Sequence, residues 1–282
     1  MLSKNIKLKN FNHKPINKRL NKYFSEILNK DDEILKSLTP NYKYQYSKKL
    51  IQKFKKNKVL KIIGMGGSIL GIQAIHDYLK YKIKKEIFFF NNIETNLKRK
   101  KKGTNLIISK SGNTLETIVN SNIIIKKNEE NVFITESRES YLRLLALKIK
   151  AEIINHNNFI GGRYSVLSEV GMLPAELMGL DVSKFKQLNN LIKNKNFINS
   201  LIINVSSTLS FIKNKKFNSI ILNYDSSANN LFSWYQQLIA ESLGKKGKGI
   251  LPIISSMPKD NHSLMQLYLD GPKNNFFTFF LH

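Results

Sequence analysis

The chain has 282 residues, 41% of them hydrophobic, a formal net charge of +26 and no cysteine. That length accommodates one large domain or two of ordinary size, and the composition excludes a disordered chain, a disulfide framework, a thiolate metal site and a membrane span. Only five of the 46 basic residues are arginine and the lysines are spread along the chain, with a local run at Lys98–Lys102, which argues for a solvated basic surface and against a nucleic-acid partner.

Residues 1–50 are polar, with Tyr23–Leu38 as the candidate helix. From Val59 short apolar runs alternate with amphipathic stretches. Strands are predicted at Val59–Ile63, Ile87–Phe90, Asn105–Ile108, Val132–Thr135 and Glu152–Ile154. Helices are predicted at Ile69–Leu79, Thr114–Lys126, Arg138–Lys148, Val166–Met178 and Phe197–Ile212. Ser219–Tyr224 opens a second strand–helix series, and Phe276–Leu281 reads as a sheet strand. Strands alternating with helices imply parallel sheets covered on both faces. A boundary between lobes is expected between Leu180 and Asn196, where Lys and Asn dominate. The expected organisation is an N-terminal helical segment (1–50), a first lobe (51–185) and a second lobe (186–282).

Two strand-to-helix turns carry candidate chemistry. Gly64-Met-Gly-Gly-Ser68-Ile-Leu-Gly71 offers backbone N–H groups at a helix start, and Ser68 can cap that helix. Its spacing is neither a dinucleotide fingerprint nor a Walker A loop. An anion cradle at Gly67 and Ser68 and a plain glycine turn fit it about equally. Ser109-Lys110-Ser111-Gly-Asn-Thr114-Leu-Glu-Thr117 repeats the arrangement with three hydroxyls, from Ser109, Ser111 and Thr114, around a helix start. That density suits phosphate oxygens better than an ordinary capping box does. Further along, Trp234–Pro252 places one carboxylate, Glu241, at a helix end opposite a glycine- and lysine-rich turn. Gln237 stands four residues earlier, on the same helix face, and Gly244 is the expected terminator.

Taken in order, Gly64–Gly71, Ser109–Thr117, Gly161-Gly-Arg-Tyr-Ser-Val-Leu-Ser-Glu-Val-Gly-Met-Leu-Pro174 and Trp234–Pro252 resemble the glucose-6-phosphate isomerase family. Asn261-His-Ser-Leu-Met-Gln-Leu-Tyr268 is similar to that family's histidine segment. The resemblance runs from about Lys58 to the end of the chain. It implies an α/β fold of two sugar-isomerase-type lobes, each a parallel sheet flanked by helices, with the second lobe incomplete. It also implies interconversion of glucose 6-phosphate and fructose 6-phosphate in glycolysis and gluconeogenesis. The family's roles would fall on Ser109, Lys110, Ser111 and Thr114, with Gly67 and Ser68, as the phosphate grip. Arg163 would stabilise developing negative charge, Glu241 would be the base, Gln237 would contact ligand, and His262 would open the sugar ring.

In the family that histidine reaches the site from the other subunit, so the resemblance implies a homodimer. The partners expected are a small sugar phosphate and a second copy, with no nucleic acid and no membrane. A cytoplasmic location is expected by default, from an N-terminus without a signal-peptide stretch and a chain without cysteine. One carboxylate can move a proton between adjacent carbons through an enediolate, a guanidinium can hold the resulting oxyanion, and a histidine can donate and accept near neutral pH. No metal or organic cofactor is expected, and His13, His76, His156 and His282 lack ligand spacing.

The resemblance places a further catalytic lysine in a region beyond this chain, and Lys273 does not correspond to it. The chain is accordingly expected to be a fragment of a longer protein, or a shortened relative with an impaired or rearranged ring-opening step. A truncated, non-catalytic sugar-phosphate binding module is the alternative reading. A close enzymatic alternative is an isomerase that also accepts mannose 6-phosphate, for which the Ser111-Gly-Asn-Thr114 turn leaves room and which the Gly-Gly-Arg and Glu241 tracts disfavour.

Overall fold

The computed structural model describes residues 18–93, 101–126 and 128–281. His13, His282, Arg99, the Lys98–Lys100 part of the basic run and the first 17 positions of the N-terminal segment lie outside them. The chain forms two compact units. One comprises Asn41–Val182 with Asn230–Gln237; the other comprises the segment up to Pro40, Ser183–Asn229 and the chain from Leu238 onward.

The first unit is built on five parallel strands: β1 (Val59–Gly64), β2 (Glu86–Phe90), β3 (Thr104–Ile108), β4 (Glu130–Thr135) and β5 (Glu152–Asn155). Their spatial order is β2-β1-β3-β4-β5. Every residue of β1 and β3 is buried, as expected for central strands covered on both faces. One face carries Ile63, Phe90, Ile107 and Phe133 packed with Leu142 and Ala146, and with Ile118 and Ile124 from helix Leu115–Ile124. From β1 the chain moves to one side for β2 and then to the other side of β1 for β3. The topological switch therefore falls between β1 and β3, where open parallel sheets form a crevice outside the strand ends. Gly64 pairs with Ile108, so the turns that follow both strands leave the sheet at the same level.

Helix starts follow local side-chain chemistry. The helix expected from Arg138 begins at Tyr141, because Ser140 is extended and its hydroxyl accepts from the Arg143 amide. The helix expected over Val166–Met178 divides into a 3-10 segment, Gly162–Leu167, and an α-helix, Glu169–Leu177. Ser168 stands between them and accepts from the Val170 amide. Helix Lys48–Lys55, not anticipated from sequence, is started by the Ser47 hydroxyl and packs against Glu169–Leu177 through buried Ile51 and Phe54.

The second unit carries a smaller parallel sheet of β6 (Asn218–Asn223), β7 (Leu251–Ser256) and β8 (Asn275–Phe280), ordered β7-β6-β8. Ile220, Leu222 and Met257 form its core with Ile253, Met265 and Tyr268, and Phe211 stacks on Phe276 at 4.9 Å. β7 was not anticipated: Pro252 lacks a ladder donor, which an edge strand tolerates. The single helix expected over Tyr23–Leu38 is two, Lys18–Leu28 and Glu33–Ser37. The Asp32 carboxylate, accepting from the Ile34 amide at 2.7 Å, starts the second one afresh.

Candidate sugar-phosphate site

In the first unit the two turns anticipated from sequence stand side by side at the β1 and β3 ends. After β1, Gly66–Ser68 forms a single 3-10 turn. Ser68 does not cap the helix that follows: Ile69 occupies that position and no side-chain cap bond forms. The serine is buried as the last residue of the turn, which continues straight into helix Leu70–Tyr78.

This turn meets the Gly-Gly-Arg segment at van der Waals limits. A Cβ on Gly67 would lie 2.3 Å from the Gly162 carbonyl carbon and 2.4 Å from the Arg163 nitrogen. At Gly66, with φ +51°, a Cβ would lie 2.7 Å from Gln237 Nε2. Gln237 belongs to helix Asn229–Leu243, which also delivers Trp234; the indole N–H donates to the Arg163 carbonyl at 3.0 Å. The Arg163 guanidinium lies over the Tyr164 ring, 4.6 Å from its centroid. Gly67, Arg163 and Gln237, far apart in the chain, are thus neighbours.

The hydroxyl turn after β3 is self-bonded. Ser109 Oγ lies 3.0 Å from Thr114 Oγ1 and accepts from the Gly112 amide at 3.2 Å. Ser111 Oγ accepts from the Asn113 amide at 3.2 Å. Gly112 has φ +67°, and a Cβ there would lie 2.1 Å from Ser140 Oγ, so this position requires glycine on both counts. Thr114 begins helix Leu115–Ile124 without a side-chain cap bond, which leaves its hydroxyl to Ser109. Lys110 Nζ donates to the Asn158 carbonyl at 2.8 Å and lies 3.5 Å from Glu136 Oε1. An arriving phosphate would compete with that carboxylate for the ammonium.

Behind the turn, buried Glu169 accepts from Tyr42 Oη at 2.9 Å and from the Asn157 amide at 2.8 Å. These bonds hold the chain that leads into Gly161–Arg163. His156, beside them, is a packing residue: burial pushes its imidazole below the ordinary histidine range, only partly opposed by its bond to the Asn157 carbonyl and by the Glu169 charge.

Glu241 and His262 belong to the second unit. Glu241 is exposed in the last turn of helix Asn229–Leu243, one turn beyond Gln237. Gly244 ends that helix, its N–H bonded to the Ala240 carbonyl, and Lys245 and Lys248 pair across the turn that follows. His262 is exposed just after the 3-10 turn Lys259–Asn261, at the carboxyl end of β7. Two contributions escaped the sequence reading: the indole N–H of Trp234 and the Glu136–Lys110 pairing. That Trp234 is the chain's single tryptophan was the one available signal. Among the described residues no cluster of His, Asp and Glu forms a metal site, and no helix is long and apolar enough to cross a membrane.

A family model described as phosphoglucose isomerase matches residues 6–250, starting well before Lys58. The chain is 37% identical over 242 residues to a glucose-6-phosphate isomerase of Methanocaldococcus jannaschii, covering 77% of this chain and 58% of that protein. It thus spans less than two thirds of the length of the curated relatives it matches. Two crystal structures share the fold. One is a hypothetical protein of Thermus thermophilus, with TM-score 0.72 and 21% identity over 93% of this chain and 69% of that one. The other is a glucose-6-phosphate isomerase of Chlamydia trachomatis, with TM-score 0.62 and 22% identity over 82% of this chain and 51% of that one.

Proposed function

The chain belongs to the phosphoglucose isomerase family, and on that footing we propose that it carries the reversible isomerisation of glucose 6-phosphate and fructose 6-phosphate. The observation that supports this most is the meeting of Gly67, Arg163 and Gln237 beside the hydroxyl turn. A phosphate accepted by Ser109, Ser111 and Thr114 would displace Lys110 from Glu136 and gain its charge. Arg163 would face the reacting carbons, where a fixed guanidinium lowers the cost of the enediolate oxyanion. Glu241 would move the proton between C2 and C1, with Gln237 one turn away contacting the ligand. His262 would protonate and deprotonate the ring oxygens, contributed across the interface of a homodimer. No cofactor is needed for these steps, and the net positive field would draw the anionic sugar inward.

The test is hydrogen exchange at C2 of glucose 6-phosphate in deuterium oxide. Glu241→Gln should slow exchange by at least about 10²-fold, the usual weight of a positioned base. The rise in melting temperature caused by fructose 6-phosphate should persist. Exchange at the unmodified rate in that variant would remove Glu241 from the mechanism.

A second reading is a sugar-phosphate binding module without turnover, which needs only the hydroxyl turn and Arg163. Thermal stabilisation by fructose 6-phosphate with no exchange in the unmodified chain would select it.

A further inference from the structure

We propose that Asp260 is the positioning residue for His262: its carboxylate pins the turn that carries the imidazole to the end of β7. The inference rests on the proposed role of His262 in ring opening. Asp260 Oδ2 accepts from Ser255 Oγ at 2.9 Å and from the Ser256 amide at 2.7 Å, both at the end of β7. Its other oxygen, Oδ1, accepts from Ser263 Oγ at 3.0 Å, on the residue directly after His262. One side chain therefore grips the strand before the histidine and the chain behind it. The backbone closes the same loop, with the His262 amide bonded to the Lys259 carbonyl and the Leu264 amide to the Asp260 carbonyl.

These are charge-assisted bonds to a buried carboxylate, the strong kind. Burial alone would raise the carboxyl's pKa. The donors from Ser255, Ser256 and Ser263, with the Lys259 charge, outweigh it and hold Asp260 below its ordinary value. It is accordingly ionised wherever the histidine can work. The imidazole is exposed within this chain, and the bonds of its turn are the anchor that the chain itself supplies. Displacing a catalytic group by about 1 Å can cost ~10²-fold in rate.

Ring opening is separable from proton transfer by choice of substrate. A tetrose 4-phosphate has no free hydroxyl placed to close a stable ring, so its isomerisation bypasses the histidine. In the full chain, Asp260→Asn should lower kcat for glucose 6-phosphate about tenfold or more with little change in KM. It should leave tetrose 4-phosphate turnover within about twofold, the pattern His262→Ala should show in stronger form. Amide exchange at Ser256, His262 and Leu264 should quicken in Asp260→Asn by more than the fall in global stability accounts for, and Asp260→Glu should recover part of both effects. Equal losses on the two substrates, or no loss on glucose 6-phosphate, would overturn the inference. If the unmodified chain turns over neither sugar, the isomerase reading falls and amide exchange decides: quickening at His262 sustains the anchor, and unchanged exchange refutes it.

Discussion

A methyl group on Gly67 would sit 2.4 Å from the amide nitrogen of Arg163, closer than any side-chain carbon comes to a backbone atom. Since both partners are backbone, neither can swing aside. Gly67→Ala must therefore part the two turns, at about 1–3 kcal/mol by the usual cost of overpacking. Gly162→Ala is the matched control: its Cβ would meet nothing nearer than the Gly67 Cα at 3.8 Å, an ordinary contact. Urea unfolding should show the first variant clearly destabilised and the second within about 0.5 kcal/mol of the parent.

The indole of Trp234 holds the carbonyl of the same arginine. Trp234→Phe keeps an aromatic ring and removes the N–H, a loss of about 0.5–1.5 kcal/mol. With the Arg163 backbone less constrained, the proposed isomerase turnover should fall about tenfold while phosphate affinity, on the proposal that the hydroxyl turn holds it, stays near the parent value. Parallel measurement of kcat and of the fructose 6-phosphate melting shift separates the two.

Lys61 on β1 and Glu129 form a buried ion pair at 2.9 Å, with Asn105 of β3 also donating to Glu129 and to Asn131 of β4. Both side chains of the pair are 3% exposed, so removing one strands the other. Lys61→Met alone should cost about 3–5 kcal/mol, whereas Lys61→Met with Glu129→Leu should recover part of it, short of the parent because Asn105 loses its Glu129 acceptor. A double-mutant cycle by denaturant titration reads the coupling directly.

Tyr46 should set an alkaline limit on stability. Burial first, then the charges of Glu176, Tyr44 and Glu169, hold its phenol protonated well above the ordinary value of 10.0. The folded chain keeps a proton that the unfolded chain releases at ordinary phenol pKa. Stability is therefore full below about pH 10 and declines as pH rises beyond it. Tyr46→Phe should flatten that decline. The hydroxyl is buried without a partner, so the variant should be no less stable than the parent at neutral pH.

The elements and motifs that could be read before folding were those with local causes. Strands β1 and β3 announced themselves as apolar runs ended by glycine or serine, and their turns were legible because close backbone approach and hydroxyl density are properties of a few consecutive residues. Where a local competitor lay inside a periodic stretch the reading failed. Asp32 split the expected helix Tyr23–Leu38, Ser140 delayed another, and Ser168 separated a 3-10 segment from an α-helix. β7 hid behind Pro252, and Asp260, two residues before His262, carried no local signal of its bonds to Ser255 and Ser256.

Residue types and their spacing in the chain already carried the alternation of strands and helices, the two turns and the list of candidate side chains. Folding alone decided that β1 lies between β2 and β3, which sets the two turns side by side, since strand order is set by crossover packing and not by neighbouring residues. It alone brought Gly67 against Arg163, with 95 residues of chain between them, and set the Trp234 indole N–H on the Arg163 carbonyl. Contacts of that kind depend on sub-ångström fit between segments remote in sequence, which no local pattern encodes.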